Sequence, residues 1–435
     1  MLEAILTTSP VRAVFALLAS FFLISIFHML YLSHFHVLSK IPGPRLPAAT
    51  FLWIRWQRWQ GQLSYRADSL LSKYGPIVRI APNIVLVNDV ESVQKLFMRQ
   101  DLDTAPNAIR ALRIGGHDWT VTYPENPVAR SRRRPVMMAT TNKAMRYWQP
   151  VFEKNITQMI SDLGKSKGNL SEDIVYHLRI ATLLNSQVVM AGSQTNLEPG
   201  DFPHVVGEYN FLVVWRLCLP GMLFEWLKLS PFRRAAFRVR TSDYLFNLGR
   251  DIVEEAKKGR LSEKAQDEEK PSAPVYELLK ESIIPNNIGE DGNSEIIAEM
   301  AGQILAATET TSSALAFIFY YLARDPSLVD AIYEELQTVD GFKDLESLKM
   351  LNACITEGLR YRPPVALTGS RVVPRGGIDV LGYFLPAGTV VTTQSLSFSR
   401  QRPDLFPNYD EFDPTRWLHD DDLNSERRRC VAPFG

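Results

Sequence analysis

The sequence predicts a mainly helical body with one small β-sheet, an α+β class, behind a single membrane-crossing helix. Three observations predict it. An uncharged apolar run lies near the N-terminus, one stretch alternates around a Pro-Asn turn, and apolar residues recur at helical spacing through most of the remainder.

Residues 13–32 read AVFALLASFFLISIFHMLYL, about the twenty residues a helix needs to cross the hydrocarbon core. No small-x-small cleavage site follows, so the run reads as an anchor (1–34), with a removed leader and a buried core helix as the competing readings. Lys40, Arg45, Arg55 and Arg58 follow it while only Arg12 precedes it, which places the body in the cytosol of a single-pass membrane protein. Lys40-Ile-Pro-Gly-Pro-Arg-Leu-Pro47 reads as an extended, stiff linker (35–48), because proline fixes φ and removes a donor. The rest, 49–435, shows neither an internal repeat nor a change of composition and reads as one domain.

Residues 76–88 alternate about Pro82-Asn83 and predict a β-hairpin. Helices are expected over 89–98, 143–163, 172–190 and 294–324, the last closed by Asp325-Pro326. The charge-dense stretch 254–274 reads as a solvated helix tail entering a loop. Residues 223–234 mix aromatic with basic residues and suit either a membrane interface or helix packing. Asn155-Ile-Thr157 and Asn169-Leu-Ser171 match the glycosylation pattern, yet a cytosolic body does not meet the transferase.

Composition excludes several functions. With 46% hydrophobic and 22% charged residues the chain is globular, and 48 basic against 48 acidic residues give no field to draw it onto nucleic acid. Cys218, Cys354 and Cys430 are far apart and odd in number, which fits a reducing compartment. The seven histidines form no H-E-x-x-H pair, so a histidine metal site has no support.

Chemistry concentrates toward the C-terminus. Ala306-Ala-Thr-Glu-Thr-Thr311 sits in the longest helix, where two small residues let something flat approach the backbone beside a carboxylate and hydroxyls. On its own the motif is weak, since a mid-helix Thr usually bonds back to a carbonyl one turn earlier. Glu357-Gly-Leu-Arg360 places two charges on one helix face. Phe412-Asp-Pro-Thr-Arg-Trp417 and then Pro433-Phe-Gly435 follow.

In this order, behind an apolar anchor and a proline-rich segment, these motifs make the chain resemble cytochrome P-450, the haem-thiolate monooxygenases. The resemblance runs from the anchor to the last residue and is sharpest after Gly302. It implies the cytochrome P-450 fold and a haem cofactor. The long helix would cross the distal face of the haem, with Ala306 against the ring and Thr310 and Glu309 relaying protons. Arg371 in Ser370-Arg-Val-Val-Pro would bind one haem propionate, a fork suited to a carboxylate. Arg133 is offered for the other, although Ala129 stands where the family often has histidine. Glu357, Arg360 and Arg416 would form a structural cluster, and Phe434 would open the haem loop.

That loop runs Phe-Gly-x-Gly-x-Arg-x-Cys-x-Gly in the family, and the sequence ends after Phe434 and Gly435. No metal ligand is therefore assigned here; the cysteine is expected beyond Gly435. Cys430 precedes Phe434 and reads as part of a solvated basic turn with Arg427-Arg-Arg429. The implied partners are the endoplasmic reticulum membrane, an NADPH-cytochrome reductase supplying electrons, and a hydrophobic small-molecule substrate, in a secondary-metabolite pathway such as those of fungi. Its pocket would draw on 104–120, the region of Phe224, the long helix and 365–370. The alternative is a catalytically inactive truncated relative, a lipophile-binding protein without haem chemistry.

Overall fold

The computed structural model describes residues 10–100, 102–165, 171–192, 200–258, 274–283, 290–340, 344–367, 369–419 and 422–431. The apolar run forms α1 (Pro10–His34), and none of its most apolar window is buried in the protein. Phe15, Phe21 and Phe27 project outward, each about 70% exposed.

The proline-rich segment does not stand off as an extended spacer. It forms a 3-10 turn (Val37–Lys40) and α2 (Arg45–Ala49), with Leu38 and Ile41 buried. The physical reason is apolar burial, to which proline is no obstacle in a first turn, where Pro47 needs no N–H partner. The Pro42 carbonyl accepts the Arg79 N–H at 2.8 Å, and a Cβ on Gly43 would stand 2.6 Å from the Arg79 carbonyl oxygen. Two further helices, α3 (Leu52–Trp59) and α4 (Leu63–Tyr74), lead into the sheet.

The expected hairpin is β1 (Ile77–Ala81) and β2 (Ile84–Val87), paired antiparallel. Both strands are buried throughout, so the alternation in sequence does not mark a wet face. Arg79 is only 1% exposed because its guanidinium reaches two carbonyls, Leu32 of α1 at 2.8 Å and Pro82 at 2.6 Å. Burial lowers its pKa. Over 89–98 a single helix is replaced by α5 (Val90–Val93), capped by Asp89 on the Ser92 N–H, and a π-turn over Gln94–Arg99. Next come β3 (Asp103–Thr104) and α6 (Pro106–Leu112).

The helical layer comprises α7 (Asn126–Ala139), α8 (Asn142–Gly164), α9 (Ile174–Ala191), α10 (Phe202–Cys218), α11 (Gly221–Lys228), α12 (Arg233–Lys257), α13 (Val275–Ile283) and α14 (Glu290–Arg324). Thr141 and Asp173 cap α8 and α9, as their position before apolar runs predicts. The 35-residue α14 is the hub, with α9, α12 and α13 packed on it around Leu183, Ile252, Leu279, Met300 and Ile304. Asp325 closes it and caps α15 (Pro326–Leu336) through the Ser327 N–H. The charge-dense stretch cannot be compared in full, since 259–273 lie outside the described residues, as do 166–170 in the second glycosylation pattern.

The chain returns through α16 (Lys349–Tyr361), β4 (Arg371–Val372), β5 (Ile378–Val380), β6 (Tyr383–Leu385), β7 (Val390–Thr392), α17 (Ser395–Arg400) and α18 (Asp422–Arg429). The five-stranded sheet has the order β1-β2-β7-β4-β3, and β5 pairs only with β6. The basic turn near the end is not solvated as a whole. Cys430 is 4% exposed in the second apolar cluster, and Arg427 is buried, donating to the carbonyls of Leu405 at 2.7 Å and Arg416 at 2.9 Å. Two backbone carbonyls supply the partners that a buried arginine needs.

Candidate functional site

Positions 299, 303, 306 and 310 of α14 are spaced i, i+4, i+7 and i+11 and share one helix face. Thr310 Oγ1 donates to the Ala306 carbonyl at 2.8 Å, the back-bond expected of a mid-helix threonine. Glu309 lies about 100° round the helix and faces another way. Both its oxygens are held by Arg179 of α9, at 3.0 and 2.9 Å, and Asn210 of α10 donates to it at 3.0 Å. Arg179 also donates to the Pro203 carbonyl at the start of α10, so three helices meet on this carboxylate.

Arg371 and Arg133 are brought together by the β3–β4 ladder. Thr104 stands opposite Arg371 in register and accepts from its Nη1 at 3.1 Å. Asp103, its neighbour on β3, accepts the Asn126 N–H at the start of α7, and Asn126 Oδ1 accepts Arg133 Nη2 at 2.9 Å. Burial lowers the Arg371 pKa first and the neighbouring Arg133 charge lowers it further. Burial and Arg130 act on Arg133 in the same direction. Among the described residues no carboxylate forms an ion pair with either guanidinium. Two like charges held together in partial burial suit an anionic ligand with more than one carboxylate.

Glu357 is the centre of a buried cluster. Arg360 donates to its two oxygens at 2.7 Å each, and Arg416 Nε, the Asp413 N–H and Trp417 Nε1 donate at 3.2, 2.9 and 2.9 Å. Arg360 continues to the carbonyls of Tyr409 and Glu411. The cluster pins the 405–417 segment onto α16. Phe434 lies outside the described residues, as does Thr368 within 365–370.

Cys218, Cys354 and Cys430 are free and buried, burial raises the pKa of each, and none lies beside Arg371 or on α14. Among the described residues no group of three or more metal-ligating side chains is gathered. A cavity of about 460 Å³ lined by Asn88, Asp89, Arg402, Glu426, Arg429 and Cys430 includes none of the predicted site residues.

Several partners were not legible beforehand: Arg179 and Asn210 on Glu309, Trp417 and Arg427 around Arg416, and Thr120 on Glu299. Each is a pairing across more than one element. The Asp-Pro-Thr-Arg-Trp run offered the only advance signal, for Trp417.

A mainly helical body with a small mixed sheet, the long helix α14 carrying Ala-Ala-Thr-Glu-Thr-Thr and the buried Glu357–Arg360–Arg416 cluster define a class of haem monooxygenase folds. The chain belongs to the cytochrome P450 family, whose profile it matches over residues 42–435. It is 24% identical to the cytochrome P450 monooxygenase cypX of Dothistroma septosporum, over 96% of this chain and 83% of that protein. It is 25% identical to averantin hydroxylase of the same fungus, over 95% and 77% of the two chains. With the monooxygenase stcB of Emericella nidulans the identity is 24% over 93% and 78%. Its fold is shared with the retinoic acid-bound cyanobacterial CYP120A1 and with a zebrafish cytochrome P450 bound to progesterone. Each has a TM-score of 0.65 at 19% identity, covering 86% of this chain and 81% and 86% of theirs. As a member of this family the chain is a monooxygenase by resemblance.

Proposed function

We propose that this protein is a membrane-anchored, haem-dependent monooxygenase that oxidises a lipophilic small molecule in fungal secondary metabolism. The observation that carries the reading is the pair Arg371 of β4 and Arg133 of α7, linked through β3 and Asn126, without a carboxylate ion-pair partner among the described residues. They fit the two propionates of a haem, and the small Ala306 fits its flat distal face. When bound, the haem supplies dioxygen activation by electrons that an NADPH-dependent reductase delivers. Thr310 would hold a water against the backbone of α14, and the Glu309 carboxylate, anchored by Arg179, would orient the polar side of that helix. Glu357, Arg360 and Arg416 would act structurally. Among the described residues no cysteine is assigned as the ligand of the haem iron.

Membrane attachment rests on α1 and on a second apolar surface. Met222 and Trp226 of α11, with Leu229 and Phe232 beyond it, are each more than 70% exposed. On α3, Leu52, Trp56 and Trp59 are exposed too, and Trp59 stacks on Trp215 of α10, which leads into α11. An exposed apolar patch with indoles at its edge suits the headgroup boundary of a bilayer. Basic residues after α1 support a cytosolic body at the endoplasmic reticulum.

The test is to sequence the transcript past the codon for Gly435, express the complete reading frame and record the reduced carbon monoxide difference spectrum. Continuation into Gly-x-Arg-x-Cys with a thiolate-type spectrum supports the proposal, and NADPH consumption with a purified reductase then identifies substrates. A stop codon directly after Gly435 in a chain that retains no haem removes the catalytic reading and leaves lipophile binding.

A further inference from the structure

The segment between α6 and α7 is tied down on two sides. At its beginning, Tyr209 of α10 donates to the Leu112 carbonyl at 3.0 Å and Arg216 to the Arg113 carbonyl at 2.7 Å. Ser242 of α12 accepts the Gly115 N–H at 3.0 Å. At its end the partner is α14. Glu299 Oε2 accepts the Thr120 N–H at 2.8 Å, and Oε1 accepts both the Thr120 hydroxyl and Gln303 Nε2, the latter at 2.7 Å. The Trp119 indole packs against Gly302, where an added Cβ would stand 2.3 Å from the ring. Trp119 Nε1 donates to the Leu112 carbonyl at 2.9 Å and joins the two ends.

Glu299 is 1% exposed, Trp119 4% and Thr120 5%. A carboxyl group taken so far from water is costly unless its donors are good. Among the described residues, apart from Gln303 on its own helix, the donors here all come from Thr120, so the loop is what this acid holds. Glu299 also shares the face of α14 that carries Ala306 and Thr310, which sets the loop alongside the space in front of those residues.

We propose that Glu299 is a positioning residue, a buried clasp that fixes how far the 112–122 loop closes over the Ala306–Thr310 face and thereby limits the size of apolar ligand admitted. The size limit rests on the monooxygenase reading; the clasp does not. Gly302 is the second half of the clasp, because only a residue without a side chain lets Trp119 seat.

The experiment compares the complete haem-loaded protein with Glu299→Ala, Thr120→Val and Glu299→Gln, by hydrogen exchange at the amides of 117–122 and by azole binding spectra. Glutamine keeps an acceptor for the Thr120 N–H and a donor for its hydroxyl, so it serves as the conservative control. Exchange at these amides is expected to accelerate about tenfold or more in Glu299→Ala, less in Thr120→Val, and to stay near wild type in Glu299→Gln. Affinity for bulky clotrimazole relative to compact 4-phenylimidazole is expected to rise about tenfold in Glu299→Ala alone. Unchanged local exchange in both Glu299→Ala and Thr120→Val overturns the clasp, and acceleration spread evenly over the protein does the same. Faster loop exchange with an unaltered azole ratio overturns the size limit and leaves the clasp. A wild-type protein without an azole spectrum overturns the monooxygenase reading, while the exchange result still decides the clasp.

Discussion

Arg179 and Glu309 form a bidentate ion pair across the α9–α14 interface, with N–O distances of 3.0 and 2.9 Å. Both side chains are about one-fifth exposed. The pair is therefore shielded from water without being fully desolvated, the regime in which charge-assisted bonds retain real strength. Arg179→Leu is expected to cost about 2 kcal/mol of stability, read by denaturant unfolding of the folded body. In an Arg179→Leu/Glu309→Gln double variant the loss should be partly recovered, because no unpaired carboxylate remains. Strict additivity of the two changes would show that the pair is not coupled.

Glu357 is 0% exposed and takes donors from Arg360, Arg416, Asp413 and Trp417. Glu357→Ala would leave two buried guanidinium groups without their anion. A loss of about 3–5 kcal/mol follows, enough to abolish most soluble expression. Thermal melting of any protein recovered checks this, and a melting temperature within a few degrees of wild type would contradict it.

Arg371→Leu should lower haem content per protein while leaving the fold intact, since among the described residues the Arg371 side chain makes one hydrogen bond, to Thr104. Haem absorbance against protein concentration, with circular dichroism as the control, measures it. Lysine at this position should restore the content only in part, as it offers no fork. Wild-type haem content in the leucine variant would remove Arg371 from the propionate site.

Burial raises the Glu299 carboxyl pKa, with its hydrogen bonds to Gln303 and Thr120 and the charge of Arg132 on α7 acting the other way. Nearby Tyr123 has its phenol raised by burial and, secondarily, by Glu295. The sign follows from linkage. A carboxyl whose folded pKa is raised binds its proton more tightly in the native state, so its contribution is full below the ordinary glutamate range, about 4.3, and is lost as pH rises through the folded value. Stability against urea should fall with pH across that window, and Glu299→Gln should flatten the slope. An identical slope in wild type and variant would place the titration elsewhere.

Much of this was determined by the sequence alone. The apolar run of α1, the 76–88 hairpin, and the helices over 143–163, 172–190 and 294–324 follow from local periodicity and caps, which act over a few residues wherever the chain goes. The order of the motifs was enough to indicate the family. Only the tertiary structure decided which charges meet. Glu309 and Arg179 are 130 residues apart, Thr120 and Glu299 are 179 apart, and Arg79 reaches back 47 to the Leu32 carbonyl near the end of α1. The folding of the proline-rich segment and the burial of Cys430 and Arg427 were decided in the same way. Local rules score a residue by its neighbours in sequence, whereas burial and pairing depend on what distant elements bring against it, and a charged group goes inside only where those elements supply its partners.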